Sequence, residues 1–141
     1  MILVTGATGT IGSEVVRQLV EANQKVRALV RDSAKIAKFG NTVEVVKGDF
    51  EDPASLRAAL KNVEVAFLAT APGARMVGQE TNFIEAAKAA GLARLVKLSN
   101  IMATPGNPAP IARSHTKTES TLALSGIPAT VLRPKIGRAH V

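Results

Sequence analysis

Cysteine is missing from all 141 residues, which excludes a disulfide framework, a thiolate nucleophile and a cysteine metal site, and leaves nothing that asks for an oxidising compartment. Tyrosine and tryptophan are absent as well, and phenylalanine is limited to four residues. Most of the stacking platform with which proteins hold single-stranded nucleic acid is thereby removed. The net charge of +7 would suit a phosphate backbone, but the lysines and arginines are scattered rather than clustered, so a solvated basic surface is expected and nucleic acid is not. No apolar run approaches the roughly 20 residues of a membrane helix. The first residues, Met1 to Gly6, lack a basic leader and run straight into a glycine turn. The composition therefore predicts a cytoplasmic protein with neither a membrane partner nor a metal; it is silent on oligomeric state.

What is present is apolar residues, 46% of the chain, enough for one core but not for two ordinary domains. Short β-branched runs alternate with longer amphipathic segments, the pattern of repeated βα units. Strands are expected near Ile2–Thr5, Lys25–Val30, Val43–Lys47, Val63–Ala69, Arg94–Ser99 and Ala129–Arg133. Because these runs are mostly continuous rather than alternating, both faces of the sheet should be covered by helices. Helices are expected near Ile11–Ala22, Ser33–Phe39, Pro53–Leu60, Val77–Ala90 and Ser114–Leu124. Asp52-Pro53 supplies a cap and a first-turn proline, and Gly91 and Gly126 stand where a left-handed stop is wanted. The Pro- and Gly-rich segment from Ala103 to Pro110 reads as a loop and a candidate lid. The fold class is thus α/β: a doubly wound parallel sheet of about six strands with Rossmann-type order.

Directly after the first strand stands Thr5-Gly6-Ala7-Thr8-Gly9-Thr10-Ile11-Gly12, leading into a helix. This TGxxGxxG spacing has a physical reading. Gly6 permits a tight turn, Gly9 lets backbone approach a pyrophosphate, and Gly12 lets the helix pack against the strand. The helix start offers N–H groups to phosphates, with Thr8, Thr10 and Ile11 supplying some of the donors. Three glycines alone would be weak, and a turn that only shapes an α/β domain is the alternative; the strand–turn–helix context favours a dinucleotide. At the end of the second strand, Val30-Arg31-Asp32 occupies the place that reads the adenosine ribose. Arg31, with Lys35 nearby, favours the 2′-phosphate of NADP(H) over NAD(H), while Asp32 is alternatively a helix cap.

These residues resemble the atypical short-chain dehydrogenase/reductases, in particular the NmrA-like family of NAD(P)-binding proteins and quinone reductases. The likeness runs from Ile2 to Pro134 and includes TGATGTIG, Val26 to Asp32, Gly48-Asp49-Phe50, Ala69-Thr70-Ala71, and Gly126 to Pro134. It implies that Asp49 and Phe50 lie beside adenine and that Ala69, Thr70 and Ala71 line the nicotinamide side; taken alone, Asp49 is equally a turn or cap residue. The Tyr–Lys pair of the wider superfamily is excluded, since no tyrosine exists here. In its place Ser114-His115-Thr116-Lys117-Thr118-Glu119 resembles the family's HxxxE pattern. His115 and Glu119 share a helix face, either as a proton-delivering pair with Glu119 orienting the imidazole or as an exposed i,i+4 pair. Lys117 faces elsewhere and is a minor alternative, and Ser99 at the fifth strand's end is a further candidate to reach substrate.

The resemblance further implies segments after Leu132-Arg133-Pro134 that build most of a substrate pocket, so a missing C-terminal substrate region is expected. Residues 1–134 read as the cofactor domain. The tail, Lys135-Ile136-Gly137-Arg138-Ala139-His140-Val141, has neither period nor cap and, from Ile136, matches in translation a common sequencing-adapter stretch, so residues 135–141 read as non-native and His140 as functionless, with a native short C-terminus as the alternative. The expected function, in the full-length form, is an NADPH-dependent reductase of a quinone-like or conjugated carbonyl acceptor, with a small-molecule substrate; the truncated chain is expected to be inactive. The alternative is a non-catalytic NADP-binding redox sensor that regulates a protein partner.

Overall fold

The computed structural model describes residues 1–32, 41–100, 103–104 and 106–134. The expected helix at 33–39, Lys35 and the tail 135–141 lie outside the described residues. Six strands, β1 (Ile2–Val4), β2 (Val26–Val30), β3 (Glu44–Lys47), β4 (Val65–Leu68), β5 (Arg94–Leu98) and β6 (Ala129–Leu132), form one sheet in the order β3-β2-β1-β4-β5-β6. All five pairings are parallel. The described helices are α1 (Thr10–Glu21), α2 (Pro53–Ala59), α3 (Met76–Ala90) and α4 (Pro110–Ser125). None of them is long and apolar enough to cross a membrane.

Strand periodicity divides the core into two layers, because successive side chains point to opposite faces. Leu3, Leu29, Ala66, Leu68 and Leu95 face α2, α3 and α4, where they pack with Leu56, Phe83, Ile84 and Leu122. Val4, Ala28 and Phe67, one residue out of step, face α1 and pack with Val16. Both faces are covered, as continuous apolar strands require.

Helix ends follow their local chemistry. The Asp52 carboxylate accepts from the Ala54 amide at 3.1 Å ahead of Pro53, and α3 stops at Gly91 with φ 69°. One boundary differs from expectation: α4 starts at Pro110, four residues before Ser114. A proline that reads as a loop residue is well placed in a first helical turn, where its missing N–H costs nothing. The Asn107 side chain accepts from the Ala109 amide at 3.0 Å and steers the chain into the helix. Of the segment expected as a lid, Ala103 to Pro110, only Pro110 falls within the helix.

Candidate functional site

Where the strand order reverses, between β1 and β4, the loops leaving the two strands diverge and open a cleft of about 250 Å³. Four carboxyl ends build it. Gly6, Ala7 and Thr8 follow β1; Leu29, Val30 and Arg31 close β2; Gly48, Asp49 and Phe50 follow β3; Ala69, Thr70 and Ala71 follow β4; Gln79 of α3 completes the wall. Of the sequence candidates, Gly6, Thr8, Arg31, Asp49, Phe50, Ala69, Thr70 and Ala71 line this one space. Gly9, Thr10, Ile11 and Gly12 form the adjoining start of α1, while His115 and Glu119 sit apart on α4.

The two walls are tied together by Thr5, whose hydroxyl donates to the Phe67 carbonyl at 2.9 Å and accepts from the Ala69 amide at 2.9 Å. Gly6 has φ 61°, and a Cβ there would stand 2.9 Å from the Ala69 carbonyl oxygen. At Gly12 a Cβ would stand 1.9 Å from the Gly6 carbonyl oxygen, so the helix can approach the turn only without a side chain. Gly9 differs: a Cβ would meet only the Gly6 oxygen, at 3.3 Å, and is otherwise in open space among the described residues. As the N-cap, Gly9 offers α1 no side-chain acceptor, and the first turn carries no acid. An uncapped helix start beside open space fits an anionic group such as a pyrophosphate.

Asp49 combines the two roles weighed for it. Its carboxylate accepts from the Glu51 amide at 2.8 Å, a turn bond, while the residue lines the cleft. Its backbone is fixed by Ser55, whose hydroxyl accepts from the Asp49 amide at 2.9 Å. Phe50 packs edge-on against Phe83 with ring centroids 6.1 Å apart, which anchors the turn to the core.

On α4, His115 and Glu119 each have other partners. Glu119 accepts from Ser99 and Arg133, which joins the ends of β5 and β6 to the helix and commits the Ser99 hydroxyl proton. Burial pushes the Glu119 carboxyl up, but the hydrogen bonds from Arg133 and Ser99 outweigh it and hold the group below its ordinary value. The Nδ1 atom of His115 lies 3.1 Å from Lys97 Nζ, and burial followed by the Lys97 charge lowers its pKa. Lys117 is exposed.

Sequence reasoning missed Lys97 and Glu80. Lys97 Nζ lies 2.6 Å from Glu80 Oε1, and both side chains are 0% exposed. The other carboxylate oxygen accepts from Thr70 Oγ1 at 2.7 Å. A signal existed: Lys97 stands two residues after Leu95, and Glu80 stands among Met76, Phe83, Ile84 and Ala87, all buried. Each charge occupies a position whose period calls for an apolar side chain.

A parallel sheet in this order, with a glycine turn at its reversal, defines a Rossmann-type domain, a class that takes dinucleotides at that crevice. The chain belongs to the NAD(P)H-binding family, whose family model matches residues 6–137. It is 40% identical over 135 residues to the NAD(P)H azoreductase of Xenophilus azovorans, covering 95% of this chain and 47% of that protein. Identity to quinone oxidoreductase 2 of Escherichia coli (strain K12) is 37% over 138 residues, covering 94% and 48%. The crystal structure of the NADPH-dependent quinone oxidoreductase QOR2 from Escherichia coli, complexed with NADPH, superposes with a TM-score of 0.87 at 36% identity, covering 94% of this chain and 48% of that one. The chain thus spans about half the length of the curated relatives it matches. The resemblance to NAD(P)-binding atypical short-chain reductases is borne out.

Proposed function

We propose that the chain binds NADP(H) in the cleft at the strand-order reversal and serves an NADPH-dependent reduction of quinone-like or conjugated carbonyl acceptors. The observation that carries this reading is the convergence of the glycine turn, Arg31, the Asp49-Phe50 turn and the Thr70 segment on one space of about 250 Å³. When bound, the nicotinamide supplies hydride. The chain's own residues hold and orient it. Backbone N–H groups at the start of α1, around Thr8, Thr10 and Ile11, take the pyrophosphate, with Gly9 leaving room for its approach. Arg31, exposed at the cleft rim, takes the 2′-phosphate by a forked, charge-assisted hydrogen bond. Asp49 and Phe50 form the adenine wall; Ala69, Thr70 and Ala71 form the nicotinamide side.

His115 and Glu119 enter this reading in changed roles. His115, with its pKa lowered by burial and by Lys97, is neutral at neutral pH and is better suited to donating a hydrogen bond than to carrying a proton as imidazolium. Glu119, held by Arg133 and Ser99, anchors the ends of β5 and β6 against α4. The reductases among the relatives favour catalysis over the redox-sensor alternative.

Fluorescence titration of the chain with NADPH and NADH, and NADPH oxidation in the presence of quinones and azo dyes by the full-length protein, test the proposal. Tighter binding of NADPH and acceptor-dependent oxidation are expected. NADPH binding without turnover on any acceptor by the full-length protein would remove the reductase reading and revive the sensor; no binding of either nucleotide would remove both.

A further inference from the structure

Lys97 is a buried ammonium with three N–H donors, and it has three acceptors: Glu80 Oε1 at 2.6 Å, His115 Nδ1 at 3.1 Å and the Leu98 carbonyl oxygen at 3.3 Å. An ammonium has no lone pair, so every one of these bonds has a fixed direction. Nδ1 of His115 must accept, which leaves the ring proton on Nε2. Glu80, as the carboxylate of the ion pair, can also only accept, so the Thr70 hydroxyl must spend its single proton on Oε2, at 2.7 Å. Thr70 lines the cleft, and toward it the oxygen then has only lone pairs to offer. The chain of bonds Thr70–Glu80–Lys97–His115 crosses from the segment after β4, through α3 and β5, to α4.

We infer that the Lys97–Glu80 pair is a positioning device that sets hydrogen-bond direction at both its ends: Thr70 becomes a pure acceptor for an O–H or N–H donor of the bound dinucleotide, and His115 a neutral Nε2–H donor. This rests on the cofactor reading above for the Thr70 end and is independent of it for the His115 end. The arrangement differs from a helix-face pair of His115 and Glu119. The residue that orients the imidazole comes from the sheet, and it does so with a charge that cannot reverse the bond. Ligand donors that suit the Thr70 oxygen are a ribose hydroxyl and the nicotinamide carboxamide N–H₂.

Two measurements on the 141-residue chain test the two ends. The chain has two histidines, so a His140→Gln background leaves the His115 imidazole alone in ¹⁵N-correlated NMR spectra. At neutral pH an unprotonated Nδ1 and a protonated Nε2 are expected. Lys97→Met should release the preference into a mixture of tautomers, with dispersed amide signals checking that the variant is folded. A protonated Nδ1 or a tautomer mixture in the unaltered imidazole overturns the proposal whether or not Lys97→Met folds.

For the Thr70 end, calorimetric titration compares NADPH with its 3-acetylpyridine analogue, which lacks the amide N–H. Thr70→Val should weaken NADPH binding by about threefold to tenfold, and Thr70→Ser should restore it. A Thr70→Val loss that vanishes with the analogue identifies the amide as the donor, and a loss that persists identifies a hydroxyl. Glu80→Gln can donate to Thr70 and free its proton to turn toward the cleft, so it should weaken NADPH binding while Thr70 is intact. Unchanged affinity in Thr70→Val, with NADPH still bound by the unaltered chain, overturns the Thr70 assignment alone. No NADPH binding by the unaltered chain overturns the cofactor reading and the Thr70 assignment with it.

Discussion

The glycine turn between β1 and α1 and the charged chain beneath α4 lie in the same domain and obey opposite rules. At the turn, atoms are missing: Gly6, Gly9 and Gly12 make a site by what their backbones can do without side chains. Under α4, Glu80, Lys97 and His115 make theirs by carrying polar groups into the core, where each must be met by another, and half-buried Thr70 links them to the cleft. The first depends on steric room and tolerates almost any neighbour that stays small. The second depends on a complete set of donors and acceptors, and losing one member leaves the others uncompensated.

Breaking each region should give effects of different size and kind. The largest is expected from Lys97→Met, which strands the Glu80 carboxylate in the core and should cost about 3–5 kcal/mol in urea denaturation. Adding Glu80→Met should recover most of that loss, because an apolar pair needs no compensation. At the glycine turn, Gly12→Ala drives a methyl group against the Gly6 carbonyl, a backbone atom that cannot rotate away, and should cost about 3 kcal/mol. Equal denaturation midpoints for the two single variants and the parent would erase the contrast.

Arg31→Ala should leave the fold unchanged and weaken NADPH binding about tenfold without changing NADH binding, read by fluorescence titration. A matching loss for NADH would place Arg31 away from the 2′-phosphate. The smallest effect concerns acid. His115 sits below its ordinary value of 6.5, with burial and Lys97 lowering it and Glu80 and Glu119 opposing them. The unfolded chain therefore binds a proton that the folded chain refuses, so stability should be flat above about 6.5 and fall as the pH drops from there. Glu119, depressed from 4.5, adds a second loss beginning below that value, because its bonds to Arg133 and Ser99 must break on protonation. His115→Gln should flatten the upper step and leave the lower one.

The same contrast explains what could be read in advance. The glycines, Asp52-Pro53, Gly91 and the strand runs declare themselves by local chemistry, and the strands lie within two residues of their expected ends. Arg31 was legible as a strand-end residue, because a parallel sheet gathers such ends at one edge, whereas Asp49 and Thr70 were reached only through the resemblance to the family. Lys97 and Glu80 stand at positions whose period calls for apolar side chains, but that signal does not say which opposite charge each meets until topology supplies the opposite wall. His115 and Glu119 were found through their likeness to the family's HxxxE pattern, yet their partners are Lys97 in β5, Ser99 just after it and Arg133 just after β6. Pro110 misled in the other direction: the same residue that ends helices also begins them.

The hydroxyl of Thr5 spans 62 positions of sequence to reach Phe67. The motif that names this domain on paper is finished within its first twelve residues, but the crevice it serves needs a second bank that arrives with β4. During synthesis the glycine turn is therefore a half-built harbour until the chain has grown past Ala71 and that strand has docked beside β1. Dinucleotide capture by growing chains of increasing length would, on this view, time the closure of the sheet: silent for chains ending before β4, and audible once Thr5 has something to hold.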